Sequence, residues 1–121
     1  MKKKEVAPGM PQCSVDYAFG RIGGKHKGRI LWHLQEGVLR YGQLQRAITG
    51  ITPKMLTQTL RELEADKLIV RQVYLEVPPR VEYWLTESGR ELLPFIALLK
   101  TWGEKQMRAN HIASVHDREL V

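Results

Sequence analysis

The sequence has one cysteine, few aromatic residues and no long apolar stretch. A single cysteine cannot form a disulfide within the chain, and no CxxC pair is present, which is typical of a reducing compartment. The apolar segment 92–99 is interrupted by Pro94 and is far shorter than the ~20 residues that span a bilayer. No apolar run follows the three N-terminal lysines, as a secretory signal would require. These absences favour a cytoplasmic protein without a membrane-spanning segment.

Charge is unevenly distributed along the 121 residues, which carry a net charge of +6. Residues 1–60 contain 10 basic and 3 acidic residues, whereas residues 61–121 contain 9 basic and 10 acidic residues. A basic half on a small protein indicates a polyanionic partner, either a nucleic acid or an anionic membrane surface, or else it serves solubility alone.

The length predicts one domain, and the apolar periodicity predicts a mainly α (α+β) fold, in which helices precede a hairpin and a last helix. Helical spacing occurs in residues 14–22, 25–35, 43–48 and 53–66, and strand alternation in residues 70–75 and 80–85. The last helix, residues 87–106, contains Pro94, which we expect to kink or split it. We expect a flexible arm over residues 1–13, a domain over residues 14–107 and a loose tail over residues 108–121.

Polar residues mark the predicted helix starts. Ser14 is the expected N-cap of the first helix, and Thr52, followed by Pro53, is a strong start for the fourth. The fourth helix then has two faces about 145° apart. One face is apolar, and the other is polar and cationic, with Lys54, Thr57, Gln58 and Arg61. A face of this kind is solvated in most proteins, so context must decide its role.

The last helix carries an apolar band too wide for a single packing surface, formed by Phe95, Ile96, Leu98, Leu99 and Trp102. The rest of the domain can cover only one side of this band. The remainder is predicted to be an exposed patch, which usually marks a partner interface.

The order of elements predicts a winged helix-turn-helix. Five segments carry a more specific signal, and they are GGKHK (23–27), RYGQL (40–44), PKMLTQTLREL (53–63), VPPRVEY (77–83) and LTESG (85–89). Together they resemble, in order, the HxlR family of bacterial winged-helix transcriptional regulators over roughly residues 13–105. The resemblance implies a homodimer that binds a palindromic operator in double-stranded DNA through winged-helix domains, with N- and C-terminal dimerisation helices. The expected dimer interface comprises Val15, Phe19, Phe95, Leu98, Leu99 and Trp102.

Base contacts are expected from the N-terminal part of the fourth helix, because a helix fits the major groove. Gln58 can grip adenine, Lys54 can donate to guanine, and Arg61 is assigned to a phosphate. The full set of expected DNA-binding residues is Lys25, Tyr41, Gln43, Thr52, Pro53, Lys54, Thr57, Gln58, Arg61 and Arg80. An equally good interpretation of Lys25, Tyr41 and Gln43 is that they are exposed residues without a DNA contact. Arg80, on the wing, either contacts DNA or is a surface arginine opposite Glu82.

Three positions depart from the family pattern. His26 stands where tryptophan is usual, which changes packing near the second helix. Lys67 replaces the usual glycine after the recognition helix, and a left-handed conformation there costs ~1 kcal/mol. Ser14 stands where a proline commonly follows the cysteine. Cys13 itself, at the start of the first helix, is either an inert packed thiol or a sensor of oxidants or electrophiles, as in some HxlR-type regulators, with Lys25 and Lys27 expected near it.

Other function classes find little support. The sequence contains no HExxH motif, no Cys/His pair and no nucleophile signature, and the segment before His26 fails the phosphate-loop pattern. We therefore expect no enzyme, no metal and no cofactor, and the effector is unknown. The main alternative is a winged-helix module that binds a partner protein without specific DNA binding.

Overall fold

Six α-helices and a three-stranded sheet are present in residues 11–114, which are the residues described by this computed structural model. The helices are α1 (Ser14–Ile22), α2 (Lys27–His33), α3 (Tyr41–Ala47), α4 (Pro53–Ala65), α5 (Glu87–Glu91) and α6 (Leu93–Ala109). The strands are β1 (Leu39–Arg40), β2 (Ile69–Tyr74) and β3 (Arg80–Leu85), and a short 3-10 helix, Leu34–Glu36, extends α2. The predicted winged helix-turn-helix is confirmed: α3 and α4 are joined by a short turn, and the β2–β3 hairpin forms the wing.

The sheet is antiparallel, with the strand order β1-β3-β2. The wing register pairs Ile69 with Leu85 at its base and Tyr74 with Arg80 near its tip. Residues 75–79 form the exposed tip, as the two prolines predict. The strand β1 pairs with β3 by placing Leu39 opposite Tyr83, which attaches the wing to the helical part.

Several helix boundaries differ from the sequence predictions. Ser14 is not the N-cap: Cys13 holds that position with extended backbone angles, and Ser14 is already helical. The helix α2 begins at Lys27, two residues later than predicted. The helix α3 begins at Tyr41, two residues earlier than predicted, because Gln43 Oε1 accepts a hydrogen bond from Arg40 N at 2.8 Å and caps the first turn. The helix α6 continues to Ala109.

Pro94 splits the last helix, as predicted. The Thr86 hydroxyl caps α5 by accepting from Gly89 N at 3.0 Å, and α6 starts anew with Pro94 in its first turn. The missing N–H of a proline is harmless at that position. The helix α6 packs beside α2.

One core lies between the helices and the inner face of the sheet. Its members are apolar side chains from α2, α3, α4, β3 and α6, including Ile30, Leu31, Leu34, Leu44, Leu56, Leu60, Leu63, Tyr83, Leu85 and Ile96. The apolar face predicted for α4 is the buried one. The opposite, polar face of α4 is therefore directed away from the core.

The helix α4 ends in a left-handed residue. Lys67 has a φ of 59°. Lys67 N donates to Glu64 O and Leu68 N donates to Leu63 O, both at 3.0 Å, which is the Schellman pattern of a helix C-terminus. The left-handed conformation considered for Lys67 from the sequence is thus confirmed.

The predicted arm and tail fall mostly outside the described residues, which exclude 1–10 and 115–121. Arg108 and Ala109, assigned to the tail, belong to α6. Among the helices described, none is long and apolar enough to cross a bilayer.

Candidate nucleic-acid interface

The position of α4 is set by its N-terminus. Thr52 Oγ1 accepts a hydrogen bond from Met55 N at 3.1 Å, and Pro53 occupies the first helical turn. This cap fixes where the helix starts, and both residues are exposed. The predicted helix start at these two residues is confirmed, while their assignment to a DNA interface stays a prediction.

The exposed face of α4 carries three of the predicted contact residues, Lys54, Gln58 and Arg61. They stand one to two turns from the N-terminus, on the side opposite the core. Gln58 Nε2 donates to Glu62 Oε1 at 3.2 Å, one turn further along. The face therefore presents two cations and an oriented amide to any partner.

Thr57 lies to one side of this face and is half-buried. Its Oγ1 lies 3.1 Å from Tyr41 Oη, and Tyr41 Oη donates to Pro53 O at 3.0 Å. Because the single phenol proton goes to the carbonyl, the threonine hydroxyl is the donor in the other bond. Tyr41 thus joins α3 to the first turn of α4, and the Thr57 hydroxyl is committed within the protein.

Lys25 and Gln43 are exposed, and both lie near the start of a helix. Gln43 uses its carbonyl oxygen to cap α3, which leaves its amide nitrogen to face outward. Lys25 precedes α2 in the glycine-rich turn.

On the wing, Arg80 is surrounded by acidic and aromatic groups. Its Nη2 lies 3.3 Å from Glu76 Oε1, its guanidinium lies 4.2 Å from the ring centre of Tyr74, and its Nε lies 3.8 Å from Glu82 Oε2. The side chain is only 30% exposed. This arrangement matches the alternative of a surface arginine opposite Glu82, while the DNA contact of Arg80 stays a prediction.

Sequence reasoning missed Arg71. It lies on β2 and, with Arg61, lines a cleft of about 250 Å³ between α4 and the wing, whose other lining residues are Thr57, Leu60, Glu64 and Tyr83. Two guanidinium groups on one cleft are suited to a phosphate. The alternating pattern of β2 places Arg71 on one face of the hairpin. Assigning Arg71 to the cleft also requires knowing which face of the hairpin meets α4.

The predicted dimer residues form one exposed apolar face, the α1–α6 face, defined by Val15, Phe19, Phe95, Leu98, Leu99 and Trp102. The rings of Phe19 and Phe95 meet edge to face at 6.5 Å, so α1 and α6 contribute to a continuous surface. Leu98 is 72% exposed and Trp102 is 61% exposed in the single chain. Large apolar side chains exposed together in this way usually mark a partner interface.

Cys13 is exposed at the N-terminal end of α1. The expectation that Lys27 lies near it is wrong, because Lys27 Nζ lies 3.4 Å from Gly20 O, close to the opposite end of α1. The side chain of Lys27 is buried there between α1 and α4.

His26 is buried beside α2, with Nδ1 3.3 Å from Arg29 Nη1. Burial, and then the positive charges of Arg29 and Lys25, lower the pKa of His26 below its ordinary value of 6.5. Arg29 Nη2 also donates to Thr49 O at 2.7 Å, in the turn between α3 and α4. His26 therefore packs in the interior, where burial and the neighbouring positive charges disfavour its charged form.

The fold and the exposed face of α4 define the class of winged helix-turn-helix DNA-binding regulators. A family model described as HxlR-like helix-turn-helix matches residues 21–111. The chain belongs to this family.

Relatives and solved structures agree with this assignment. The chain is 46% identical over 103 residues to the uncharacterised HTH-type transcriptional regulator YybR of Bacillus subtilis (strain 168), covering 85% of this chain and 82% of that protein. It is similar to the redox regulator HypR in its reduced form, with a TM-score of 0.76, 43% identity and coverage of 82% and 98%. It is also similar to HypR in its oxidised form, with a TM-score of 0.73, 47% identity and coverage of 77% and 96%.

Proposed function

We propose that the protein is a homodimeric transcriptional regulator that reads a palindromic operator with the exposed face of α4. The observation that carries the proposal is the orientation of that face: a capped helix turns Lys54, Gln58 and Arg61 outward while its apolar side fills the core. The N-terminal part of such a helix reaches base edges in the major groove. Such a regulator acts in the cytoplasm, where its DNA target lies.

The roles differ along the face. Gln58 and Lys54, on the first two turns, have the donors that adenine and guanine edges accept. Arg61 lies further from the N-terminus and shares a cleft with Arg71, so this pair is assigned to a phosphate. Arg80 would contact a phosphate in competition with the Glu76 carboxylate.

The α1–α6 face supplies the dimer contact. Burying Leu98 and Trp102 against a second copy removes apolar surface from water, which drives association. Two-fold symmetry then sets the two α4 helices in successive major grooves, about 34 Å apart. A palindromic operator follows from this symmetry.

Cys13 is proposed to make DNA binding sensitive to oxidants or electrophiles. Its support is its exposure at the start of α1, which carries part of the α1–α6 face. Diamide should alter operator binding of the wild type and leave the Cys13→Ser variant unaffected. Equal responses of the two proteins would identify Cys13 as an inert thiol.

Fluorescence anisotropy tests the main proposal, with DNA from the gene's own upstream region and a scrambled duplex at about 150 mM salt. We expect a preference of roughly 10³-fold for the upstream DNA. The double variant Lys54→Ala/Gln58→Ala should lose it. Lys100→Ala is the control, since Lys100 is an exposed lysine on α6. Absence of binding even at low salt would overturn the proposal and favour a module that binds a partner protein.

A further inference from the structure

The amide of Gln58 has a fixed orientation. Its Nε2 donates to Glu62 Oε1 at 3.2 Å, and a carboxylate can only accept, so the nitrogen end must face Glu62. One N–H remains beside the carbonyl oxygen. That edge, one donor and one acceptor, is the one that matches N7 and N6 of adenine. An unrestrained glutamine would present either end to a base.

Glu62 is itself held on its other oxygen. Lys27 Nζ lies 3.5 Å from Glu62 Oε2 and 3.4 Å from Gly20 O at the end of α1. Lys27 is only 8% exposed, and a buried ammonium requires an anionic partner, so the Glu62 carboxylate is anchored in place. One oxygen of Glu62 thus faces a buried cation, and the other accepts from the amide of Gln58.

We infer that Glu62 is a positioning residue, which sets the base that Gln58 prefers by fixing its amide against the Lys27-anchored carboxylate. This inference rests on the proposed function, because it requires α4 to lie in the major groove. Glu62 does not itself need to touch DNA. Its effect is exerted through one side chain, and so at one base pair of each half-site.

The test is selection of preferred sites from a library of duplexes randomised at single positions of the operator. In Glu62→Gln, the new amide can accept or donate, so Gln58 can turn over. We expect the wild-type preference for adenine at the Gln58 position to fall about tenfold, with the other positions unchanged. Glu62→Asp retains a negative charge on the side of Lys27, but its shorter side chain withdraws the carboxylate from Gln58. It should give the same loss of adenine preference without removing the charge.

Two further variants separate the explanations. Glu64→Gln makes the same charge change two residues along α4, so it should alter overall affinity without changing the base preference. In a Gln58→Ala background, Glu62→Gln should cause no additional change in preference, because its effect passes through Gln58. Thermal unfolding of each variant checks that the domain is folded.

The outcomes are distinguishable. An unchanged adenine preference in both Glu62 variants overturns the inference and leaves the proposed function standing. A further change on adding Glu62→Gln to Gln58→Ala also overturns it, since Glu62 would then act directly. A wild-type protein without any sequence preference overturns both.

Discussion

Replacing Lys67 with glycine should stabilise the protein, because Lys67 has a φ of 59° at the end of α4. The surrounding structure enforces this angle. Lys67 N and Leu68 N donate to Glu64 O and Leu63 O, and the Thr86 hydroxyl donates to Lys67 O at 2.7 Å. Lys67 therefore cannot move to a negative φ without breaking the hydrogen bonds that hold the connection between α4 and β2.

The magnitude follows from two opposing effects. A left-handed conformation costs an L-residue about 1–2 kcal/mol. Glycine avoids this cost. It also gives the unfolded chain more backbone freedom, which cancels about 0.5–1 kcal/mol of the gain in folding stability. The net stabilisation expected for Lys67→Gly is about 0.5–1 kcal/mol.

Urea unfolding followed by circular dichroism measures this difference. With a slope of about 2 kcal/mol per molar urea, the midpoint should rise by about 0.3–0.5 M with an unchanged slope. Protein concentration must be equal in all samples, because association adds to apparent stability. Lys67→Ala is the control: it removes the charge but keeps the Cβ atom, so it should show no comparable gain. A Lys67→Gly protein no more stable than Lys67→Ala would refute the reasoning.

Two other perturbations test the interior and the surface. The pKa of His26 is lowered by burial, then by Arg29 and Lys25, so the unfolded chain binds a proton more readily. The contribution of His26 to the free energy of unfolding is fully present above about pH 6.5. It declines as the pH falls through the pKa that His26 has in the folded protein. Urea unfolding at pH 7.5 and 5.5 should show a smaller decline in the free energy of unfolding for His26→Phe than for the wild type. An equal decline in the two proteins would contradict this role of His26. Leu98→Glu should convert the proposed dimer to a monomer in light scattering, while Lys100→Glu should not. A dimeric Leu98→Glu protein would exclude this face.

Local signals made much of the fold predictable from the sequence. Thr52 and Pro53 predicted the start of α4, and Pro94 predicted the break between α5 and α6. Each of these effects acts within one helical turn, so neighbouring residues suffice to predict it. The first cap failed because Ser14 and Cys13 are adjacent, and a short polar residue does not by itself determine which of two positions leaves the helix.

The site was predictable only in part, because its environment is built from distant segments. The exposed face of α4 followed from helical periodicity, which is local. The surroundings of Arg80 depend on the wing register that sets Tyr74 opposite it. The contact of Lys27 with Glu62 joins residues from different helices, and the cleft between Arg61 and Arg71 joins a helix to a strand. Periodicity carries no information on such pairs.

The ion pairs explain why net charge alone does not locate the interface. Lys27 contributes to the basic excess of the first half, yet it is buried against Glu62, and Arg80 is held by acidic groups of the wing. Cations already paired in this way add little to phosphate binding, whereas Arg61 and Arg71 line an open cleft beside α4. Lys27, on α2, also donates to Gly20 O, so its ammonium contacts both α1 and the helix proposed to read DNA.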